Sequence, residues 1–406
     1  MKKLSVLGVC LFAGLTAVAQ NSLVKEVERE MKSSVDKYPE KLDKLKPAFT
    51  NEETAGHAYV WFVAGKGGMD FYDNQEVMKK MGKQVDDKVI GNALMNSFDY
   101  LLKALPLDSI PNEKGKIKPK YSKDAINLIK NHHKDLNVAA VNLWQVADYP
   151  DAYKAWEMYM AIPSNPVLGE NAPAALPDSS ASDIYYNMGL AAWQANQFDD
   201  ALNAFDNAIA KGYTKKNIYD YAIAVAYNNN HDAAKMAYYA EQAYPLYGSE
   251  DNSYIGYMIN NKIANKEFAE AQQMLEKYIQ ADPNNGQLYY VLGVLYDSQE
   301  NHDKAVENYK RAIELNPENA QAQLQYGRQL CNKAFRIDDE ISALPVAQYN
   351  ERRVNEVNPL FREATTYLEK AYELDPDNMG DALSLLRNCY YNLQDEENLK
   401  RIESLY

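Results

Sequence analysis

The stretch NNGQLYYVLGVLYDSQENHDKAVENYKRAIELNPEN, residues 284–319, reads as two helices joined by a short polar turn. Its landmarks recur 34 residues earlier: Ala271 maps to Ala305, Tyr278 to Ala312 and Pro283 to Pro317. Within the stretch Tyr289, Leu292, Gly293, Tyr296, Ala305, Tyr309, Ala312 and Pro317 set large residues against small ones. Gly293 and Ala305 are small where the first helix (A) must cross the second (B) closely. Pro317, followed by Glu318 and Asn319, ends helix B, because proline offers no amide hydrogen to continue it. One such pair cannot bury its apolar face alone, so the pattern predicts a stack of pairs.

Working outward, a unit near Ser182 keeps Tyr185, Met188, Gly189, Phe198, Ala201, Phe205 and Ala208. The next, from Asn217, keeps Ala224, Tyr227 and Ala243 and ends near Pro245. The one from Asn252 has a poor helix A, with Lys262 where a large apolar residue is usual, and a good helix B in Phe268, Ala271, Leu275 and Pro283. After Pro317 the code restarts at Tyr326, Gly327 and Leu330 but resumes only at Ala364, Leu368, Ala371 and Pro376, so this unit holds about 25 extra residues. The extra stretch, 332–358, carries Phe335, Ile337, Ile341 and Leu344 and is expected to project as a helical hairpin that serves specificity. Upstream, Ala140, Leu143, Tyr149, Ala152, Trp156 and Tyr159 repeat the code more loosely, and Ala93, Tyr100 and Leu101 fit a helix B whose partner includes Tyr59 to Ala64. The expected division is a signal peptide at 1–19, a degenerate helical block at 20–165, a proline-containing linker at 166–181, a repeat array at 182–378 and capping helices at 379–406.

The pattern resembles the tetratricopeptide repeat family, as an exported bacterial member. The resemblance implies an all-α fold: a right-handed α-α superhelix, a solenoid of antiparallel helix pairs. It also implies a concave face lined by helix A positions, along which extended or helical peptides lie. Mapped by register, that face presents Tyr186, Asn187, Trp193, Tyr221, Asn228, Asn229, Tyr290, Asp297, Gln325, Arg328 and Asn332. Tyrosine and tryptophan supply large rigid contact area, and asparagine can hold a peptide backbone by two hydrogen bonds, so the lining suits a protein or peptide partner. A simpler role for Tyr186, Tyr221 and Tyr290 is packing between neighbouring A helices. The lining is nearly without cations, unlike the family's carboxylate-clamp members, which argues against a cytosolic co-chaperone. A second reading is carbohydrate binding, as in outer-membrane starch-binding proteins that carry such repeats; this chain is shorter and lacks their lipidated cysteine.

Lys2 and Lys3, the apolar run Leu4 to Thr16 and the small residues Ala17, Val18 and Ala19 read as an export signal cleaved after Ala19, placing the mature protein in the periplasm. Cys10 is preceded by Val9, too large for a lipid-modified site. No other stretch is apolar enough to span a bilayer, so no integral membrane segment is expected in the mature chain. The formal charge of −14 becomes −16 once Lys2 and Lys3 are removed, which disfavours nucleic acid as a partner. Cys331 and Cys389, the thiols beyond the signal, fall late in consecutive A helices; they are either paired or two separately buried small residues.

Gly65-Lys66-Gly67-Gly68 lacks the spacing of a phosphate-binding loop and reads as a flexible turn. Asp375 to Asp381 imitates a calcium loop, yet Met379 breaks the ligand alternation and Leu386 stands where the bidentate glutamate belongs. It reads as an inter-repeat turn, like Asp282 to Asn285 and Asn316 to Asn319, with side chains capping the following helix. His132 and His133 are adjacent and diverge on a helix, no zinc spacing occurs, and no nucleophile or metalloprotease motif is present. Neither catalytic residues, a metal nor a cofactor is therefore expected. The run Lys114, Lys116, Lys118, Lys120 and Lys123 reads as a solvated basic loop.

Overall fold

The structure, a computed structural model, describes residues 22–405 apart from positions 53, 112, 113, 249 and 252. The expected signal segment and its cleavage point lie outside the described residues. Among those residues there are helices and no strands, and two compact units that divide between Asn229 and Asn230.

The first unit contains α1 (22–33), α2 (Tyr38–Thr50), α3 (Ala58–Lys80), α4 (Asp87–Asp108), α5 (Ser122–His132), α6 (Asp135–Gln145), α7 (Tyr149–Ala161), α8 (Asp178–Gln194), α9 (Phe198–Ala210) and α10 (Asn217–Asn228). Helix pairs α3/α4, α6/α7 and α8/α9 stack in sequence, and α10 closes on α9. The expected linker 166–181 lies inside this unit; it carries a 3-10 turn at Gly169–Asn171 and the first residues of α8, with Leu168 buried.

The second unit contains α11 (Ala233–Tyr247), α12 (Ser253–Ala264), α13 (Phe268–Ala281), α14 (Gly286–Ser298), α15 (His302–Leu315), α16 (Ala320–Ile341), α17 (Val346–Arg352), α18 (Asn358–Leu374), α19 (Gly380–Leu393) and α20 (Glu396–Glu403). Here α14 pairs with α15, α16 with α18 and α19 with α20.

Three local devices recur and account for the period. The A-to-B turn places one residue in the left-handed region, at Ala147, Asn196, Lys266, Glu300 and Gln394. After it, an amide reaches back five residues to the end of helix A: Gln197 to Ala192, Glu267 to Lys262, Asn301 to Tyr296 and Asp395 to Tyr390, at 2.8–3.0 Å. This pattern satisfies carbonyls that the helix end would otherwise leave bare. The B-to-A turn stops at Asp282, Asn316 and Asp375, each followed by proline. Asn285 and Asn319 then cap α14 and α16 by accepting from the amides of Gln287 and Ala322. The third turn departs from the expectation: Met379 stands at the cap of α19, buried and without a side-chain cap bond.

The third device is the close crossing. A Cβ at position 293 would stand 2.6 Å from the Tyr309 ring, one at 327 would stand 2.7 Å from Leu368, and one at 189 would overlap Phe205. Ala201, Ala271, Ala305 and Ala364 are fully buried at the facing positions. The large–small alternation therefore sets the helix spacing.

Gly65 to Gly68 corrects the sequence expectation, since the segment is not a turn but the middle of α3. A Cβ at Gly65 would meet Leu101 at 2.6 Å, and one at Gly67 would meet the Met31 sulfur at 2.7 Å. Lys66 is held by Asp70 at 2.6 Å. The glycines serve close helix packing, and no loop exists there to cradle an anion. The basic loop ahead of α5 is closed by the Asp108 carboxylate, which accepts from the amides of Lys120, Tyr121 and Ser122 and from the Ser122 hydroxyl.

His132 and His133 diverge as expected. His132 Nδ1 lies 3.0 Å from Asp135 and 3.8 Å from Asp73, against the edge of Tyr72. Burial depresses its pKa, but the Asp135 hydrogen bond and the Asp73, Asp135 and Asp70 charges outweigh burial, so the value is raised. His133 Nε2 donates to the Tyr159 carbonyl at 2.8 Å, and burial lowers its pKa. The two act oppositely on stability. The His132 contribution is complete below the ordinary histidine range and disappears as pH rises through its elevated folded value; the His133 contribution is complete above that range and disappears as pH falls through its lowered one. Melting curves of His132→Gln at pH 6 and pH 8 check this, with the deficit relative to the unaltered chain expected to shrink as pH rises.

In the second unit Lys262, anomalous in the sequence, bonds Glu267 at 3.2 Å and Glu270 at 2.8 Å across the turn to α13. The insertion is helical, with α16 extended to Ile341, the short α17, and a π-helical stretch Arg353–Val357 leading into α18. It has a core of its own: Ile341 and Val357 are fully buried, and Phe335 meets Phe361 edge to face at 5.1 Å. Arg353 fastens it with two bonds to Asp338 at 2.8 Å and further bonds to the Tyr349 hydroxyl, the Asn392 carbonyl and the Asn392 side chain.

Candidate functional site

The A-helix residues picked from the sequence fall into two groups, one in each unit. In the first unit Tyr186 and Asn187 sit on α8 nearly two turns before Trp193, while Tyr221 sits on α10. All four are half-buried. The Tyr186 ring stacks on Tyr213 at 4.5 Å and 13°, stands 6.4 Å from Tyr221, and its hydroxyl accepts from Asn217 Nδ2 at 2.7 Å. Trp193 tilts against Tyr221 at 5.6 Å. The packing role is therefore filled, since Tyr186 and Trp193 on α8 meet Tyr221 on α10, and each ring keeps part of its surface exposed. Burial first, then the neighbouring phenols, raise the Tyr186 pKa, so its hydroxyl stays neutral.

Asn187 borders a cavity of about 140 Å³ that it shares with Val141, Trp144, Trp156 and Leu190. Trp156 is fixed there by donating Nε1 to Asn137 at 2.8 Å. Val141, Trp144 and Leu190 are site residues that the sequence reading missed. Leu190 lies one helical turn from Asn187 and could have been found by register; Val141 and Trp144 belong to the degenerate block, where only the buried side of α6 was read. Asn228 is exposed, and Asn229 donates to Asp199 at 3.1 Å, outside the aromatic group.

In the second unit Tyr290, Asp297 and Arg328 engage neighbours outside the selection. Tyr290 is half-buried 6.0 Å from Tyr309; burial raises its pKa and the Arg328 charge offsets part of the rise. Asp297 accepts from Gln329 at 2.8 Å and lies 3.2 Å from His302 Nδ1. Arg328, the sole cation predicted for the face, donates to Asp381 at 2.7 Å. Gln325 is half-buried, and exposed Asn332 borders a cavity of about 280 Å³ with His302, Gln329, Lys333 and Arg336. This group is a polar network, whereas the first is an aromatic shelf. Among the described residues no group of three His, Cys, Asp or Glu side chains is placed to hold a metal ion.

Two tetratricopeptide repeat profiles match the chain, at residues 286–319 and 186–248. Over 66 residues it is 38% identical to the E3 SUMO-protein ligase RanBP2 of Homo sapiens, a stretch covering 16% of this chain and 2% of that one. It is 36% identical over 66 residues to the human RANBP2-like and GRIP domain-containing protein 8, of which it covers 4%. The chain thus spans a few per cent of the curated relatives it matches. Among solved structures it is similar to YrrB, described as a TPR protein with an unusual peptide-binding site, at 20% identity and a TM-score of 0.32, covering 49% of this chain and 94% of that one. A TPR repeats protein from Bacteroides fragilis is 17% identical with a TM-score of 0.31, covering 66% of this chain and 98% of that one.

Proposed function

Because the chain is a tetratricopeptide repeat protein, all-α and built of stacked helix pairs, we propose that it is an exported, non-enzymatic scaffold that holds a protein or peptide segment on the concave face of its A helices. The observation that carries this reading is the shelf of Tyr186, Trp193 and Tyr221 beside the Asn187 cavity. Stacking fixes the rings before any partner arrives, so little side-chain entropy is lost on contact. The cavity, walled by Trp144, Trp156, Val141 and Leu190, is of a size to take one apolar side chain, and Asn187 at its edge offers both a donor and an acceptor to a backbone. The polar network around Asp297 and Arg328 and the insertion 332–358 would add selectivity in the second unit. Among the described residues no helix is long and apolar enough to cross a membrane. Export itself rests on the pattern of residues 1–19.

Selection from a displayed random-peptide library, followed by calorimetric titration of a selected peptide, tests the reading. Trp193→Ala is expected to weaken binding roughly 30-fold, the loss of a hot-spot residue at about 2 kcal/mol, with the helical circular dichroism unchanged. Peptide affinity that survives both Trp193→Ala and Tyr221→Ala would overturn the site. A thermal shift with oligosaccharides that Trp193→Ala abolishes would move the assignment to sugar.

A further inference from the structure

Cys331 on α16 and Cys389 on α19 are both fully buried, and their sulfurs lie 3.0 Å apart. A disulfide bond is about 2.05 Å long, so closing this gap takes a shift of roughly 1 Å. Sulfur is large, and two thiols that merely touch settle farther apart than this. The pair also ties together what the chain most needs to tie. Helices α16 and α18 are separated by the insertion, and α19 packs against both. A bond at this point would clamp the insertion-bearing helix to the following repeat across 58 residues of chain.

We infer that Cys331 and Cys389 form a structural disulfide that locks α16 to α19 at the base of the inserted hairpin. Two thiols lose two protons and two electrons, one S–S bond forms between them, and the electrons pass to a disulfide-bearing oxidant, which leaves as two thiols after a mixed-disulfide intermediate. Bonding to Cys331 and burial both hold the Cys389 thiol well above the ordinary range in the closed fold. Closure therefore belongs to folding, before α19 docks, and the finished bond is shielded from exchange. Formation in the cell rests on the export reading, because reducing compartments keep thiols apart; the geometry itself does not.

The test refolds the full chain from denaturant with oxidised glutathione, then alkylates and digests it with trypsin without reductant. The expected result is one cross-linked species joining peptides 329–333 and 388–400, with neither cysteine alkylated. Mapping by peptide also separates this pair from Cys10. Adding reductant to the folded, oxidised chain after heating is expected to lower the melting temperature by on the order of 10 °C, the effect of closing a loop of this length in a unit of this size. The Cys331→Ala/Cys389→Ala variant should melt at the reduced value and ignore reductant. Alkylation of both cysteines after oxidative refolding would overturn the inference, as would a cross-link whose reduction leaves the melting temperature unchanged. A cross-link in the refolded chain but free thiols in chain taken from whole cells, alkylated at lysis, supports the pairing geometry and counts against export.

Discussion

Phe205→Ala should destabilise the first unit by about 3–5 kcal/mol, the cost of removing a fully buried phenylalanine and leaving its cavity. For a unit of this size that is a fall in melting temperature of roughly 10 °C. Phe205 is the large half of a large–small pair whose small half is Gly189, and the pair predicts more than the size of the loss. In the unaltered chain Gly189→Ala drives a methyl into the Phe205 ring and should cost about 1–3 kcal/mol. In the Phe205→Ala background that space is free, and alanine is the better helix former by about 1 kcal/mol. The same substitution should then turn neutral or stabilising. Urea titrations of the four proteins give the coupling directly, and additive effects would mean that the two helices do not cross at this point.

Gly68→Val should cost about 3 kcal/mol, at the upper end of overpacking. Its Cβ would overlap the Ser97 hydroxyl and stand 2.8 Å from the Tyr38 hydroxyl. Both hydroxyls are committed: Ser97 donates to the Ala93 carbonyl at 2.7 Å and Tyr38 to the Ala64 carbonyl at 3.1 Å. Neither can step aside without leaving a buried polar group unpaired. In a solvent-exposed turn the same substitution would change stability by under about 0.5 kcal/mol. Urea unfolding separates the two outcomes well beyond its error.

Gly68 also shows where the sequence stops being legible. Gly293 and Gly327 could be read as helix-crossing residues because each recurs at a fixed distance from a large partner in a repeat. Gly65, Gly67 and Gly68 have no such frame: their partners Leu101, Met31, Tyr38 and Ser97 lie on other helices at irregular separations, and three glycines in four residues look locally like a turn. The positions of Asn285 and Asn319 as caps followed from chemistry alone, whereas Met379 takes the third cap position because its side chain is buried there.

The site was legible to a similar degree. Register on α8 and α10 brought Tyr186, Trp193 and Tyr221 into one row, and the rings do meet. It could not show that Asp297 is occupied by Gln329, or Arg328 by Asp381, since those partners lie 32 and 53 residues away. Nor could it find Trp144, whose unit departs from the 34-residue spacing. Insertion and degeneracy both break the phase on which register depends.

The most direct test of the A-helix shelf is hydrogen–deuterium exchange on the full chain with and without a peptide selected by display. Peptide should slow exchange on α6, α8 and α10, which carry Trp144, Asn187, Leu190, Trp193 and Tyr221, and leave α9 as it was. Protection confined to the B helices, or none on α8 and α10 at saturating peptide, would contradict the account.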